Sequence, residues 1–420
     1  RWGYKSVILV LFCGLAAASC GGDDGGEAAP ATVPSTTVAV ATTSAVTTAG
    51  PTTSRQPDPF VAEQVVAGDQ HVCALTSDGS AYCWGYNGMG QLGDGTTTDR
   101  KVPTPVSGTT KFTRLAAGRY FTCGLTSAGA TWCWGDNSSG QLGNGATGGG
   151  SASANKSAPG LVVGGVALQS IVTGQNHVCG LNAAGAAYCW GSYPSGQLGN
   201  ALGANQTEPG KSAVALALKT LALGGDNHTC GLAIPDGTPW CWGNNTFGQL
   251  GDGKKSNAGQ NQPSTVTGGL KFTALALGRT YTCGLVADGS AYCWGSNTQG
   301  QLGDGTVDER LAPVKAAPAL KFASLTAGDS QTCGVTADGA AHCWGSNAFG
   351  QLGNGTSGGQ QTSAVAVSGG VKFASLSAGE EFTCGVATDK TVYCWGSNRV
   401  GWLGDGTDVA RTAPTKVKKP

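Results

Sequence analysis

The stretch VCALTSDGSAYCWGYNGMGQLGDG at residues 72–95 returns as TCGLTSAGATWCWGDNSSGQLGNG at 122–145 and as TCGLVADGSAYCWGSNTQGQLGDG at 282–305. Four further copies bring the total to seven, and the first cysteines of successive copies lie 50 to 56 residues apart, at 73, 123, 179, 230, 283, 333 and 384. A period near fifty with short strands and glycine turns is typical of a propeller blade, and no helical periodicity accompanies it. The repeat therefore predicts an all-β, seven-bladed propeller.

Each copy contains a readable β-hairpin that begins and ends on cysteine. With Ser77-Asp78-Gly79 as a three-residue loop, residue 76 pairs with 80 and Cys73 comes to lie opposite Cys83. Opposed strand residues are within disulfide range, whereas a zinc site would need Cys-x-x-Cys or Cys/His clusters, which are missing. We predict one disulfide per blade and no metal: Cys73–Cys83, Cys123–Cys133, Cys179–Cys189, Cys230–Cys241, Cys283–Cys293, Cys333–Cys343 and Cys384–Cys394.

The W-G-x-N-x-x-G-Q-L-G core of these copies resembles the repeat of the regulator of chromosome condensation family, over about residues 60–418. The resemblance implies four-stranded blades in a seven-bladed ring, with repeats starting near 60, 111, 166, 216, 271, 321 and 372. The cysteine pairs depart from the nuclear members, and Trp402 replaces a glutamine found in the other six copies. The nuclear member's exchange activity on a small GTPase is implied only as a minor possibility.

The ring is expected to close through the C-terminus. A Val102–Val106 segment with two prolines precedes the second repeat, no such segment precedes the first, and the similar Ala413–Val417 lies near the C-terminus. We expect this last segment to complete the first blade, so that no sheet edge stays open.

The first sixty residues read as an export signal and a tether. Residues 1–19 combine two positive charges with an apolar stretch and end in Ala-Ala-Ser before Cys20, which resembles a bacterial lipobox. Residues 20–59 are rich in Thr, Ala and Pro and too poor in large apolar residues to fold. We predict a lipidated Cys20, with simple secretion as the alternative, and a propeller at 60–420 that is anchored outside a bacterial membrane. Sixteen cysteines fit a disulfide-permitting compartment.

Composition excludes several classes of function. Lys+Arg and Asp+Glu are 25 each, so the chain lacks the basic field that nucleic acid requires. Residues 88–93 match a dinucleotide fingerprint without opening a helix, and no catalytic triad or carboxylate pair stands out. His71, His177 and His228 share a repeat slot that elsewhere holds Phe, Tyr or Gln, and His342 fills a strand slot, so all four are expected to be structural. We expect no cofactor and no enzymatic activity.

Function is expected where exposed loops vary between repeats. Two sites recur, one just before the histidine slot and one just before the G-Q-L-G turn, and apolar or aromatic anchors there suit a partner. The leading hypothesis is a monomeric binding module for a protein or glycan of the cell envelope. The alternatives are an inhibitor of a secreted enzyme, or a hydrolase, which would need acidic or histidine residues converging in the central channel. The candidate binding residues are Arg119, Tyr120, Asp226, Asn227, Arg279, Asp329, Glu380, Glu381, Met89, Phe247, Phe349 and Trp402.

Overall fold

A computed structural model describes residues 59–147, 154–200 and 202–420. Its 28 strands form seven four-stranded antiparallel sheets, and each sheet uses four consecutive strands. The all-β, seven-bladed propeller predicted from the repeats is confirmed. A short 3₁₀ turn at Ser368–Gly370 accompanies the strands, and no helix among the described residues is long and apolar enough to cross a bilayer. The predicted signal, the predicted lipidation site Cys20 and the predicted tether lie outside the described residues.

The strands follow in chain order, four to a blade. Blades 1 to 4 comprise β1 (Gln64–Ala67), β2 (His71–Leu75), β3 (Ala81–Gly85), β4 (Arg100–Pro105); β5 (Arg114–Ala117), β6 (Phe121–Leu125), β7 (Thr131–Gly135), β8 (Lys156–Leu161); β9 (Ser170–Thr173), β10 (His177–Leu181), β11 (Ala187–Gly191), β12 (Gln206–Lys211); β13 (Leu218–Leu223), β14 (His228–Ala233), β15 (Pro239–Asn245) and β16 (Ser256–Thr265). Blades 5 to 7 comprise β17 (Ala274–Leu277), β18 (Tyr281–Leu285), β19 (Ala291–Gly295), β20 (Arg310–Ala316); β21 (Phe322–Ala327), β22 (Gln331–Thr336), β23 (Ala341–Ser346), β24 (Gln360–Ala366); β25 (Phe373–Ala378), β26 (Phe382–Ala387), β27 (Val392–Gly396) and β28 (Arg411–Lys416).

The hairpin register and its disulfides are confirmed in every blade. In blade 1, Cys73 pairs with Cys83 across β2 and β3, and Leu75 pairs with Ala81, as the three-residue loop requires. All seven predicted disulfides form, with Cα–Cα distances of 4.0 to 4.1 Å. Every one of these cysteines is buried, so the bridges lie inside the blades and are shielded from solvent.

Neighbouring blades are held together by a repeated tryptophan contact. The indole Nε1 of Trp134 donates to the carbonyl of Gln91 in the preceding blade at 2.9 Å, and Thr122 donates its hydroxyl to the same carbonyl. The equivalent indole contact recurs at all seven seams, including Trp84 to the carbonyl of Trp402 where the ring closes. These tryptophans are fully buried. Each G-Q-L-G turn therefore packs against the core tryptophan of the next blade.

Closure differs from the prediction in one respect. The C-terminal strand β28 pairs with β27 and therefore belongs to blade 7, so the prediction that it completes blade 1 is wrong. The Val102–Val106 segment supplies the fourth strand of its own blade, which leaves blade 1 with four strands already. The C-terminus nonetheless lies at the seam, where Pro59 bridges Lys418 and the amide of Phe60 donates to the carbonyl of Val417.

Candidate binding face

The two variable loop sites lie on the same face of the ring. Because each blade is an antiparallel meander, the turn between its first and second strands and the loop between its third and fourth strands are at the same end. The backbone joins them directly: the amide of Tyr86 donates to the carbonyl of Gln70 at 2.9 Å, and that of Ser397 to the carbonyl of Glu381 at 2.9 Å. We call this the loop face. The opposite face, with the hairpins between second and third strands, is the hairpin face.

Charged side chains converge at the centre of the loop face. The first strands of neighbouring blades contact one another around the whole ring, so they line the central channel. Each is followed by a glycine, or by two glycines in blade 4, and then by a variable residue. A cavity of about 100 Å³ is lined by Asp69, Gln175, Arg279 and Asp329 among these seven variable residues. We call the seven residues the mouth ring: Asp69, Arg119, Gln175, Asp226, Arg279, Asp329 and Glu380.

The mouth ring is held by contacts between blades. Arg279 is central to one side, donating from Nε to Asp226 at 3.1 Å and from Nη1 to Asp329 at 3.2 Å. On the other side the Asp69 carboxylate accepts from the amide nitrogen of Gln175, two blades away, at 3.3 Å. Nε of Arg119 lies 3.7 Å from the same carboxylate. The hydrogen bond between Gln175 and Asp69 joins side chains of the third and first blades, so the channel is narrow enough here for side chains two blades apart to meet.

Two carboxyl groups of the mouth ring, those of Asp69 and Asp329, have raised pKa values. Burial is the main cause, and the neighbouring carboxylates Asp329 and Glu380 add to it, so the pKa of Asp69 rises to about 8. Burial likewise raises the pKa of Asp329 to about 6, against the opposing effect of Arg279. Carboxyl groups with pKa values in this range mark candidate functional sites.

One premise of the sequence analysis is therefore wrong. The sequence showed no carboxylate pair, yet Asp69 and Asp329 both line the cavity at the channel mouth. Asp226 lies beside them through its ion pair with Arg279, and Glu380 is near enough to raise the pKa of Asp69. Neighbouring members of this set are 51 to 157 residues apart in the chain, and only the geometry of the ring brings them together. The available signal was the repeated glycine before each variable residue.

Glycine closes the channel behind the mouth ring. A Cβ on Gly68 would lie 2.4 Å from the carbonyl oxygen of Gly118 in the next blade, and one on Gly328 would lie 2.4 Å from that of Gly379. Real Cβ atoms do not approach so closely, so glycine at these positions lets the first strands converge.

An aromatic and charged cluster lies further out, at the seam of blades 6 and 7. Phe349 is 36% exposed, and the guanidinium of Arg399 lies 5.1 Å from its ring centre, within cation–π range. Arg399 also contacts Glu381 at 2.9 Å. The predicted solvent exposure of Trp402 is wrong: its side chain is 2% exposed and packs against Phe382, because the slot that holds glutamine in other blades is buried.

The remaining candidates are placed on the same face with partial exposure. Tyr120 lies under the guanidinium of Arg119 at 5.0 Å and packs edge-on against Tyr86 of blade 1. Met89 and Phe247 are half-buried, not fully solvent-facing. Asn227 adopts a left-handed backbone conformation, with φ 61°. It lies between the first two strands of blade 4, where the turn is one residue longer than in the other blades.

The histidines have the structural role predicted. His71, His177 and His228 are fully buried, and each ring contacts a threonine of the next blade, with His71 Nε2 2.8 Å from the Thr122 hydroxyl. Burial lowers the pKa of each of the three to about 3, so they are neutral. Among the described residues no group of three or more His, Cys, Asp or Glu side chains is arranged to hold a metal ion.

These features define a disulfide-bridged β-propeller that gathers charged and aromatic side chains on one face. Residues 10–322 match the RCC1-like domain, and residues 322–351, 338–386 and 373–401 match single regulator of chromosome condensation repeats. The chain belongs to the RCC1-like domain family.

Several known proteins are similar to this chain. The ultraviolet-B receptor UVR8 of Arabidopsis thaliana is 30% identical over 253 residues, which is 60% of this chain and 57% of the receptor. The human E3 ubiquitin-protein ligase HERC2 is 28% identical over 84% of this chain, which is 6% of the ligase. The structure of Prp20p from Saccharomyces cerevisiae, described with its binding to Gsp1p and histones, aligns with a TM-score of 0.69 at 20% identity, over 77% of this chain and 82% of that one.

Proposed function

We propose that the chain is a non-enzymatic, protein-binding propeller that engages its partner across the loop face. The observation that carries this proposal is the mouth ring, where charged side chains of different blades pair with one another, with the partly exposed Phe349 further out on the same face. Charged residues confer specificity and an aromatic residue supplies buried area when a partner docks. The protein partners named for the similar propeller Prp20p support a protein over a glycan.

The charges of the loop face favour a basic partner surface. The mouth ring together with Glu381 and Arg399 carries five carboxyl groups and three guanidinium groups. The net charge is −2 when all are ionised and −1 while Asp69, whose pKa is raised to about 8, stays protonated. Arg279 and Arg399 each keep about half of their side-chain surface exposed despite their ion pairs. A partner with lysine or arginine at its centre would pair with the carboxyl groups that these two arginines leave partly accessible.

The proposal includes display outside the cell on a lipidated Cys20. Seven buried disulfides support an oxidising compartment, since such bonds are rare where thiols are kept reduced. The lipobox-like sequence before Cys20 supports the anchor. In that location the partner is an envelope or secreted protein, and an inhibitor of a secreted enzyme is one form that such binding takes. Exchange activity on a cytosolic GTPase would require a different location.

A second candidate is a hydrolase that uses mouth-ring carboxyl groups. The raised pKa values of Asp69 and Asp329 favour it, because an acid that stays protonated near neutral pH can donate a proton. Against it, both carboxyl groups are already engaged by Arg279, Arg119 or Gln175. Binding is therefore the leading proposal.

Site-specific photo-crosslinking in the native host tests the binding proposal. A crosslinking residue at Glu380 or Phe349 is expected to capture one protein in common, whereas the same residue at Asp78 on the hairpin face is not. The purified partner should bind Asp329→Lys at least tenfold more weakly than the wild type, and Asp78→Lys equally well. Capture only from Asp78, or equal binding by both variants, would contradict the loop-face proposal. Hydrolysis that Asp69→Asn abolishes would favour the second candidate.

A further inference from the structure

A repeated ion pair on the hairpin face forms at four of the seven seams, and at two adjacent seams both of its residues are replaced. At four seams the hairpin aspartate contacts a lysine at the start of the next blade: Asp78–Lys111, Asp236–Lys271, Asp288–Lys321 and Asp338–Lys372. At the seams between blades 2 and 3 and between blades 3 and 4, both positions are alanine: Ala128 with Ala167, and Ala184 with Ala217. Both partners are replaced together, so neither seam keeps an unpaired charge.

The seam between blades 2 and 3 carries a cavity more than twice as large as the one at the seam of blades 1 and 2. The two seams superpose in register, because the amide of Val106 donates to Ala81 just as that of Val162 donates to Thr131. The cavity at the seam of blades 1 and 2 measures about 140 Å³, and the one at the seam of blades 2 and 3 about 350 Å³. The absence of the lysine side chain at Ala167 accounts for part of the difference.

Its walls are also apolar where the neighbouring seam is polar. Val163 stands where blade 1 has Ser107, Val166 where it has Thr110, and Ala130 where it has Ser80, and the lining includes no charged residue. Leu161 is 52% exposed and Val163 37% exposed at the rim, while the buried Leu168 forms the floor. Parallel changes at several lining positions thus convert a polar seam into an apolar pocket, which we call the seam pocket.

Stability does not account for these changes. The ion pairs at the other seams are exposed, with Lys111 and Asp78 side chains 56% and 62% accessible, and such pairs contribute little to folding. Exposed valine and leucine around an open pocket leave apolar surface in water, which folding disfavours and partner binding can relieve.

We propose that the seam pocket binds one large apolar side chain, of the leucine, phenylalanine or tryptophan class, carried by an uncharged segment of a partner protein. The missing Asp–Lys pair removes the charges that would select a charged segment. The volume is near the lower end of the range of ligand clefts, roughly 300–1,000 Å³, and so suits a single side chain. This surface is on the hairpin face and is independent of the loop-face proposal.

Methyl NMR on the intact propeller, with labelled leucine and valine, tests the pocket. The probes are N-acetyl-tryptophan amide and N-acetyl-leucine amide, with N-acetyl-lysine amide as the charged control. Saturable shifts are expected for the methyl groups of Leu161, Val163 and Val166 with the apolar probes only. The methyl groups of Val106, at the polar seam, should not shift.

Two variants make the test specific. Ala128→Asp with Ala167→Lys rebuilds the ion pair and is expected to weaken probe binding at least tenfold, and Val163→Ser, which restores the residue of the neighbouring seam, should also weaken it. The matched control, Asp78→Ala with Lys111→Ala, should leave binding at the seam pocket unchanged. The absence of saturable shifts, equal shifts at Val106, or full binding by the rebuilt pair would overturn the proposal. Shifts that depend on protein concentration without probe would overturn it in favour of a second copy of the chain.

Discussion

Gly68→Ala is expected to destabilise the propeller, whereas Gly160→Ala is not. Gly68 ends the first strand of blade 1, and an added Cβ would lie 2.4 Å from the carbonyl oxygen of Gly118 and 2.5 Å from Cε1 of the buried His71. Gly160 lies in the exposed fourth strand of blade 2, where the nearest atom to an added Cβ is the carbonyl oxygen of Cys133 at 3.7 Å. Both glycines have ordinary backbone angles, so the two variants differ mainly in available space.

The expected magnitude follows from the overlap. Ordinary Cβ contacts begin near 3.4 Å, so the Gly118 backbone and the His71 ring would each have to move by about 1 Å, in a ring where every first strand contacts two others. Overpacking of a rigid core costs about 1–3 kcal/mol, and we expect the upper end. Gly160→Ala should be neutral or stabilise by up to about 1 kcal/mol, because alanine restricts the unfolded chain.

Guanidinium chloride unfolding with the disulfides intact measures the difference. With an m-value of roughly 6 kcal/mol/M for a domain of this size, a loss of about 3 kcal/mol lowers the midpoint by about 0.5 M. Equal midpoints for the two variants would refute the reasoning, because they would show that the first strands have room to separate. A lower midpoint for Gly160→Ala alone would refute it equally.

Three other predictions concern charge, covalent bonds and the seams. Ionisation of Asp69 opposes folding because its pKa is raised in the folded protein, so the free energy of unfolding should fall as the pH rises from about 4 through about 8. In thermal melts recorded across this range, Asp69→Asn should reduce the pH dependence, and an unchanged pH dependence would contradict the prediction. The double variant Cys73→Ala, Cys83→Ala should lower the free energy of unfolding by about 2–3 kcal/mol, while mass spectrometry should still count six disulfides. Unchanged stability would contradict a stabilising role for the Cys73–Cys83 disulfide. Thr122→Val removes the hydroxyl that donates to the backbone carbonyl of Gln91 at 2.9 Å, so it should lower the free energy of unfolding by about 1–3 kcal/mol. Denaturant unfolding measures this loss, and a variant as stable as the wild type would contradict the prediction.

The structural features that could be predicted from the sequence are those that depend on contacts within one repeat. The cysteine pairing and the three-residue loop depend on contacts ten residues apart, so a single copy was enough to fix their register. The blade number followed from counting copies. These features are local, and turn chemistry determines them.

Features that depend on the assembled ring were missed. The mouth ring joins Asp69 to Gln175, which are over a hundred residues apart, and no spacing within a repeat indicates that contact. Trp402 was misplaced because a slot that usually holds glutamine suggests exposure. In fact the glutamine side chain is buried, and in blade 1 the side-chain oxygen of Gln91 accepts a hydrogen bond from the backbone amide of Met89. In blade 7 the indole ring of Trp402 occupies the same buried position. The C-terminal strand was assigned to the wrong blade because a repeat does not reveal whether its edge strand precedes or follows it.

The contiguity of each blade has a consequence for how such rings can change. Because every sheet is built from four consecutive strands, and Pro59 is bridged to Lys418, no blade is assembled from both ends of the chain. The two ends of the propeller could therefore be joined and new ones opened in an inter-blade connection, such as the exposed Gly369–Gly370 turn between β24 and β25, with all seven sheets kept whole. A circular permutant of this kind would present the same two faces, and a duplicated or deleted blade would remain a complete folding unit.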